Sequence, residues 1–164
     1  MPSLTRHRPA LLFSLTGLFA LHLASAPAAH AGAANPLAAE IDRRATAAEG
    51  RLIEWRRHFH QNPELSGREV ETAKFVAARL REFGLEPRTI AGTGVTAVIE
   101  GKLPGATIGL RADMDALPVA EQVDLPFKST ATGTYEGKSV PVMHACGHDA
   151  HTAMLLAAAE VLAG

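Results

Sequence analysis

The chain has one cysteine, Cys146, among 164 residues, and a single thiol excludes an internal disulfide. It also lacks a basic run. Sixteen Lys and Arg stand against 17 Asp and Glu, a balance that excludes nucleic acid as a partner recognised by charge. No internal repeat is present, and no low-complexity tract beyond an alanine-rich stretch near residue 30. Acidic residues are absent from the first 31 positions.

That acid-free beginning has a direction to it. Arg6, His7 and Arg8 precede "PALLFSLTGLFALHLASA", an apolar run without charge, and small residues follow. This order predicts a secretory signal peptide over residues 1–31. Two cleavage points fit small residues two apart, after Ala26 or after Ala31. Pro27 hinders the first, so Ala29-His30-Ala31 is the better exit. The competing reading is an uncleaved membrane anchor, because the run approaches bilayer-spanning length. Cleavage would leave 133 residues, one modest domain with a net charge of −3, exported to a periplasmic or secreted location and free of the membrane. In such an oxidising compartment an unpaired cysteine needs a reason.

Residues 32–50 read as a linker and the start of a first helix, and 51–164 as the main body. Asn35 is placed to cap that helix and Pro36 suits its first position. Leu37, Ile41, Ala45, Leu52, Trp55 and Phe59 form its apolar stripe, and Asn62-Pro63 ends it. Ser66 and Glu69 have capping-box spacing for a second helix, which Gly84 closes with Leu85 behind it. Residues 95–101 and 106–115 predict two strands around a "KLPG" turn, and "TGTYEGKSV" a hairpin or ordered loop. The stretch from Asp149 predicts a final helix with Asp149 as its cap. Helices on both sides of strands predict an α/β layered domain. The last helix is still apolar at Gly164 and the strands are few, so the sequence reads as the front portion of something larger.

Two clusters carry chemistry. In "LRADMDALP", Asp113 and Asp115 are two apart, and in extended chain both point to one face, at a strand end where α/β sheets place ligands. They also suit the ordinary start of a loop. In "PVMHACGHDAHT", Cys146 and His148 flank Gly147, with His144 before them and His151 one helical turn on. Thiolate and imidazole both suit zinc or a similar transition metal. A helix starting here favours an anionic thiolate. Structural readings compete at every position: Cys146 as inert core, His144 or His151 as buried and backbone-bonded, Asp149 as a cap. Three imidazoles are costly to bury without partners, which favours a site for the cluster as a whole. A nucleophilic Cys146 is disfavoured, because a histidine two residues away is poorly placed as its base.

"RRHFHQNPELSGREVETAKFV", "TGVTAVIEG", "IGLRADMDALPV" and "MHACGHDAHTAMLLAAA" together resemble the opening motifs of the metal-dependent aminoacylase and carboxypeptidase family. The subgroup resembled contains hippurate hydrolases and hydrolases of N-acyl and auxin–amino acid conjugates. The resemblance implies a zinc-peptidase-like catalytic domain with a mixed sheet. It implies two divalent metal ions, zinc or manganese, and cleavage of a small-molecule amide beside an amino-acid carboxylate. Cys146 and His148 match metal ligands, and Asp115 the catalytic-site aspartate that orients a ligand imidazole. Asp113 stands where many relatives outside this subgroup have a ligand histidine, so it is secondary. His144 and His151 match structural or supporting positions. The general-base glutamate and its metal-binding neighbour, two further histidines and a dimerisation domain are expected beyond residue 164, with a homodimer for the complete enzyme. The alternative is an exported module that binds metal without catalysis.

Overall fold

The computed structural model describes residues 35–164; the leader expected over 1–31 lies outside the described residues. Helix α1 spans Pro36–Gln61, α2 Val70–Glu82 and α3 His148–Ala163. Between α2 and α3 come β1 (Arg88–Ile90), β2 (Gly94–Thr96), β3 (Thr132–Tyr135) and β4 (Lys138–Pro141). The mix of helices and sheets is α/β, as expected. Among the described residues no helix is long and apolar enough to cross a membrane.

Asn35 caps α1, its Oδ1 accepting from the Leu37 amide at 3.0 Å. The apolar stripe is only half used. Leu37 and Ile41 are exposed, whereas Ala48, Trp55 and Phe59 enter the main core with Val76 and Leu80 of α2 and Ala153, Leu156 and Ala157 of α3. Helix α1 runs along α3, tied at its outer side by Arg51 to Glu160. Phe59 and Phe75 meet edge to face at 5.2 Å, joining α1 to α2.

Helix α2 closes as its sequence predicts. Gly84 takes φ 78°, and the amides of Gly84 and Leu85 bond back to the Arg81 and Leu80 carbonyls at 2.9 and 3.0 Å. Both bonds of a Schellman closure are therefore present. Its start differs from the expected capping box. Ser66 is exposed, and Glu69 turns away to accept from the Gly67 amide and the Thr93 hydroxyl. The free amides of the first turn go instead to Glu64. Its carboxylate accepts from Glu71 N at 3.2 Å, Thr72 N at 2.8 Å and Thr72 Oγ1 at 2.8 Å.

The strands also pair differently from the sequence expectation. Strand β2 pairs antiparallel with β1, in register Arg88 with Thr96 and Ile90 with Gly94. Ala91 and Gly92, both at positive φ, close this short loop. A short loop costs less chain entropy than the longer "KLPG" connection. Residues 106–115 form no strand among the described residues, and Ile108 and Leu110 are exposed. The mixed sheet is accordingly not formed by the described residues: they make two antiparallel pairs, with one parallel bridge between Leu65 and Ala116. The second pair is the expected hairpin. Strands β3 and β4 turn through Glu136 and Gly137, both at positive φ as a two-residue type I′ turn demands. Gly133 lies against a second core of Leu65, Ala116 and Val142, where a Cβ would meet Leu65 Cδ1 at 3.0 Å.

Candidate metal centre

Backbone pairing brings the two motifs together. The Ala116 amide donates to the Glu64 carbonyl at 2.7 Å, and Leu117 and Met143 exchange two amide bonds at 3.0 and 3.1 Å. The chain leaving Asp115 is thereby pinned beside the loop that enters α3. Gly147, at φ 80°, then turns that loop into the helix. A residue with a Cβ pays for this left-handed conformation, and glycine does not.

His148 is held from both sides. Its Nδ1 donates to the Asp115 carbonyl at 2.9 Å and to Asp115 Oδ1 at 3.0 Å. With the proton on Nδ1, the Nε2 lone pair is free, and it faces Asp113 Oδ2 at 4.0 Å. The two-apart spacing of the aspartates thus puts one carboxylate at each nitrogen of a single imidazole. His151 stacks beside it with ring centroids 5.6 Å apart. Ligand atoms of Asp113, His148 and His151 all lie within 4.8 Å of one another. Thr152 Oγ1 lies 3.0 Å from the Asp113 carbonyl and 2.9 Å from the His148 carbonyl, so α3 also braces the aspartate loop.

The structure gives the remaining sequence candidates different surroundings. Cys146 is exposed and free, one residue before the Gly147 turn, and stands outside the three-residue group. Asp113 and His151, secondary on the sequence reading, are inside it. His144 is buried at 4% exposure, and among the described residues neither ring nitrogen has a hydrogen-bond partner. Burial pushes its pKa down to about 4; the charges of Asp149 and Asp115 oppose this, and those of His60 and His148 add to it.

Asp149 is not the cap of α3. It is 1% exposed in the first turn and turns inward to α1, where Arg56 Nε and His60 Nδ1 reach its Oδ2 at 3.0 and 2.8 Å. His60 Nε2 meets Glu121 Oε2 at 2.8 Å. Burial works to raise the Glu121 pKa, but the hydrogen bond from His60 and those from the Val123 and Ser129 backbone hold it below the usual carboxylate value. Sequence reasoning missed His60, Arg56 and Glu121 because they lie far from the motif along the chain. Their only trace was membership of the "RRHFHQNPE" stretch for the first two.

Two imidazoles and a carboxylate fit a divalent cation of borderline or hard character. The buried His144 imidazole is a further polar group whose hydrogen-bonding capacity the described residues leave unused. An α/β unit that presents carboxylate and imidazole donors at a helix start is suited, by fold and site, to holding a cation. Residues 109–164 match the model of peptidase family M20/M25/M40. Over 113 residues the chain is 50% identical to thermostable carboxypeptidase 2 of Saccharolobus solfataricus, covering 68% of this chain and 27% of that protein. It is 46% identical over 123 residues to the N-acyl-L-amino acid amidohydrolase of Geobacillus stearothermophilus, covering 74% and 31%. The crystal structure of the Bacillus subtilis YxeP protein, described as a dinuclear metal binding peptidase of the M20 family, superposes with a TM-score of 0.59. That match has 44% identity and covers 68% of this chain and 30% of that one. The chain therefore spans less than a third of the length of these relatives.

Proposed function

We propose that the protein contributes the N-terminal part of the metal centre of an amidohydrolase that cleaves N-acyl amino acids or similar conjugates. The observation that carries this reading is the convergence of Asp113, His148 and His151, with the proton of His148 held on Nδ1 by Asp115. The relatives above are named a carboxypeptidase and an N-acyl-L-amino acid amidohydrolase, which supports the substrate class. We assign two divalent metal ions, zinc or manganese, to the complete centre. Such ions, when bound, polarise an amide carbonyl and lower the pKa of water.

The residues of this chain have separable tasks. His148 offers Nε2 as a donor, and Asp115 fixes its ring and increases its basicity through Nδ1. Asp113 and His151 offer an oxygen and a nitrogen to the same point. Cys146, by its resemblance to the subgroup, supplies a thiolate beside them. Thr152 keeps the aspartate loop seated on α3. The resemblance also implies a general-base glutamate, which these residues do not supply. We also assign residues 1–31 to an export signal and the protein to a periplasmic or secreted location. N-terminal sequencing of the exported protein tests this, since a mature start at Gly32 is expected and an intact Met1 would overturn it.

Gentle purification followed by metal analysis tests the centre itself. Stoichiometric zinc or manganese, removed by chelator and lost on combining Asp113→Ala with His148→Ala, is the expected result. Metal uptake that ignores these substitutions would refute the assignment.

A further inference from the structure

His60 is a buried titratable group for which amide cleavage has no direct use. It lies near the C-terminal end of α1 at 4% exposure, with a carboxylate 2.8 Å from each ring nitrogen: Asp149 at Nδ1 and Glu121 at Nε2. Ionised carboxylates only accept hydrogen bonds, so both nitrogens of His60 donate. Arg56 adds its guanidinium to the same Asp149 oxygen. Two carboxylates, one guanidinium and one imidazole make a closed, hydrogen-bonded set, which is what makes its burial tolerable. Phe127 sits over this set. Its ring meets His60 edge-on at 5.8 Å, and the Arg56 and Arg57 guanidinium carbons lie 5.3 and 5.2 Å from its centroid.

The consequence lies in helix geometry. Successive residues of a helix are about 100° apart around the axis. His148 and His151, three apart, therefore share one face, and Asp149 projects from a different side. Drawing Asp149 onto α1 sets the rotation of the first turn of α3. That rotation decides whether the two imidazoles point at Asp113.

We propose that His60, donating from both ring nitrogens to Asp149 and Glu121, is a positioning residue that aims His148 and His151 at Asp113. This rests on the reading of those three residues as a metal centre, but its geometric part can be tested without metal. In the metal-free chain with labelled histidines, nitrogen NMR should show both His60 ring nitrogens hydrogen-bonded. A His60 ring nitrogen without a hydrogen-bond partner would overturn the proposal. The His60→Gln variant should shift the ring resonances of both His148 and His151, and unshifted resonances would overturn it equally. Titration with zinc or manganese alone should show His60→Gln binding about 10-fold to 100-fold more weakly, the range for groups that orient metal ligands. Wild-type affinity in a folded His60→Gln would refute the positioning role.

His60→Gln leaves Asp149 with Arg56 alone and is exposed to misfolding. The double variant His60→Gln with Asp149→Asn removes the buried charge mismatch and restores a neutral hydrogen-bonded pair. Its expected affinity lies between wild type and His60→Gln if the tie acts by geometry; no recovery over the single variant in a folded protein counts against it. Failure of the wild-type chain to take up either metal would sink the metal-centre reading, while the ring resonances still decide whether His60 orients α3.

Discussion

Replacing Glu64 with alanine should destabilise the protein more than any other single change at the start of α2. Its carboxylate accepts from two first-turn amides, at 3.2 and 2.8 Å, and from the hydroxyl of Thr72, a residue 5% exposed. Losing a helix N-terminal cap costs about 0.5–2 kcal/mol. Stranding a buried hydroxyl costs about 1–3 kcal/mol more. The two overlap, because one carboxylate serves both and water partly replaces it, so we expect about 2 kcal/mol. For a unit of this size that lowers the melting temperature by about 6–12 °C. Glu64 is also the residue whose carbonyl holds the Ala116 amide, so the helix cap and the aspartate loop share one anchor. The control is Ser66→Ala. A capping box would make it cost about 1 kcal/mol, whereas the exposed hydroxyl seen here should cost under about 0.5 kcal/mol. Urea unfolding followed by circular dichroism measures both. A Ser66→Ala loss equal to that of Glu64→Ala would refute this account of how α2 begins.

Asp115→Asn keeps the backbone acceptor for His148 Nδ1 but removes the charge, and should weaken zinc binding by about 10-fold, the lower part of the range for such partners; calorimetric titration reads this, and unchanged affinity argues against ring orientation by Asp115. His58 stacks on Phe75 at 4.3 Å, and burial, helped by the Arg79 charge, lowers its pKa below 6.5. The unfolded chain then takes up this proton first, so the stability contributed is complete above pH 6.5 and declines as pH falls below it. Urea midpoints measured from pH 7.5 to 5 should fall less steeply for His58→Phe than for wild type, and parallel curves would be evidence against the shift. Gly147→Ala meets no atom within 4 Å but must adopt φ 80°, so it should cost about 1–2 kcal/mol through backbone strain alone; a thermal melt matching wild type would show that the turn into α3 relaxes freely.

Much of the fold is legible locally. Asn35 and Pro36 announce α1, Gly84 and Leu85 close α2, and Glu136-Gly137 turns the hairpin, because a cap, a positive φ or a helical period is settled by a few adjacent residues. The aspartate pair and the cysteine–histidine motif were legible as chemistry for the same reason, since donor type and short spacing are written in the chain. What escaped were the partners that Glu64, Glu69 and Asp149 find at a distance. Ser66 and Glu69 have the right spacing for a cap, but Glu64 takes the amides once the chain before α2 folds back. Asp149 has the residue type of a cap, but burial beside Arg56 and His60 makes an ion pair the better use of its charge.

The cysteine-containing motif shows where the division falls. Sequence by itself determined that Cys146, His148 and His151 stand at the start of a helix, because the glycine turn and the helical run that follow are local. Tertiary structure alone decided that His148 and His151 converge with Asp113, that Asp115 holds the Nδ1 proton, and that Cys146 stands outside that group. Direction is the reason: a side chain's type is carried by one codon, but where it points depends on which buried charges and backbone amides from distant segments must be satisfied together.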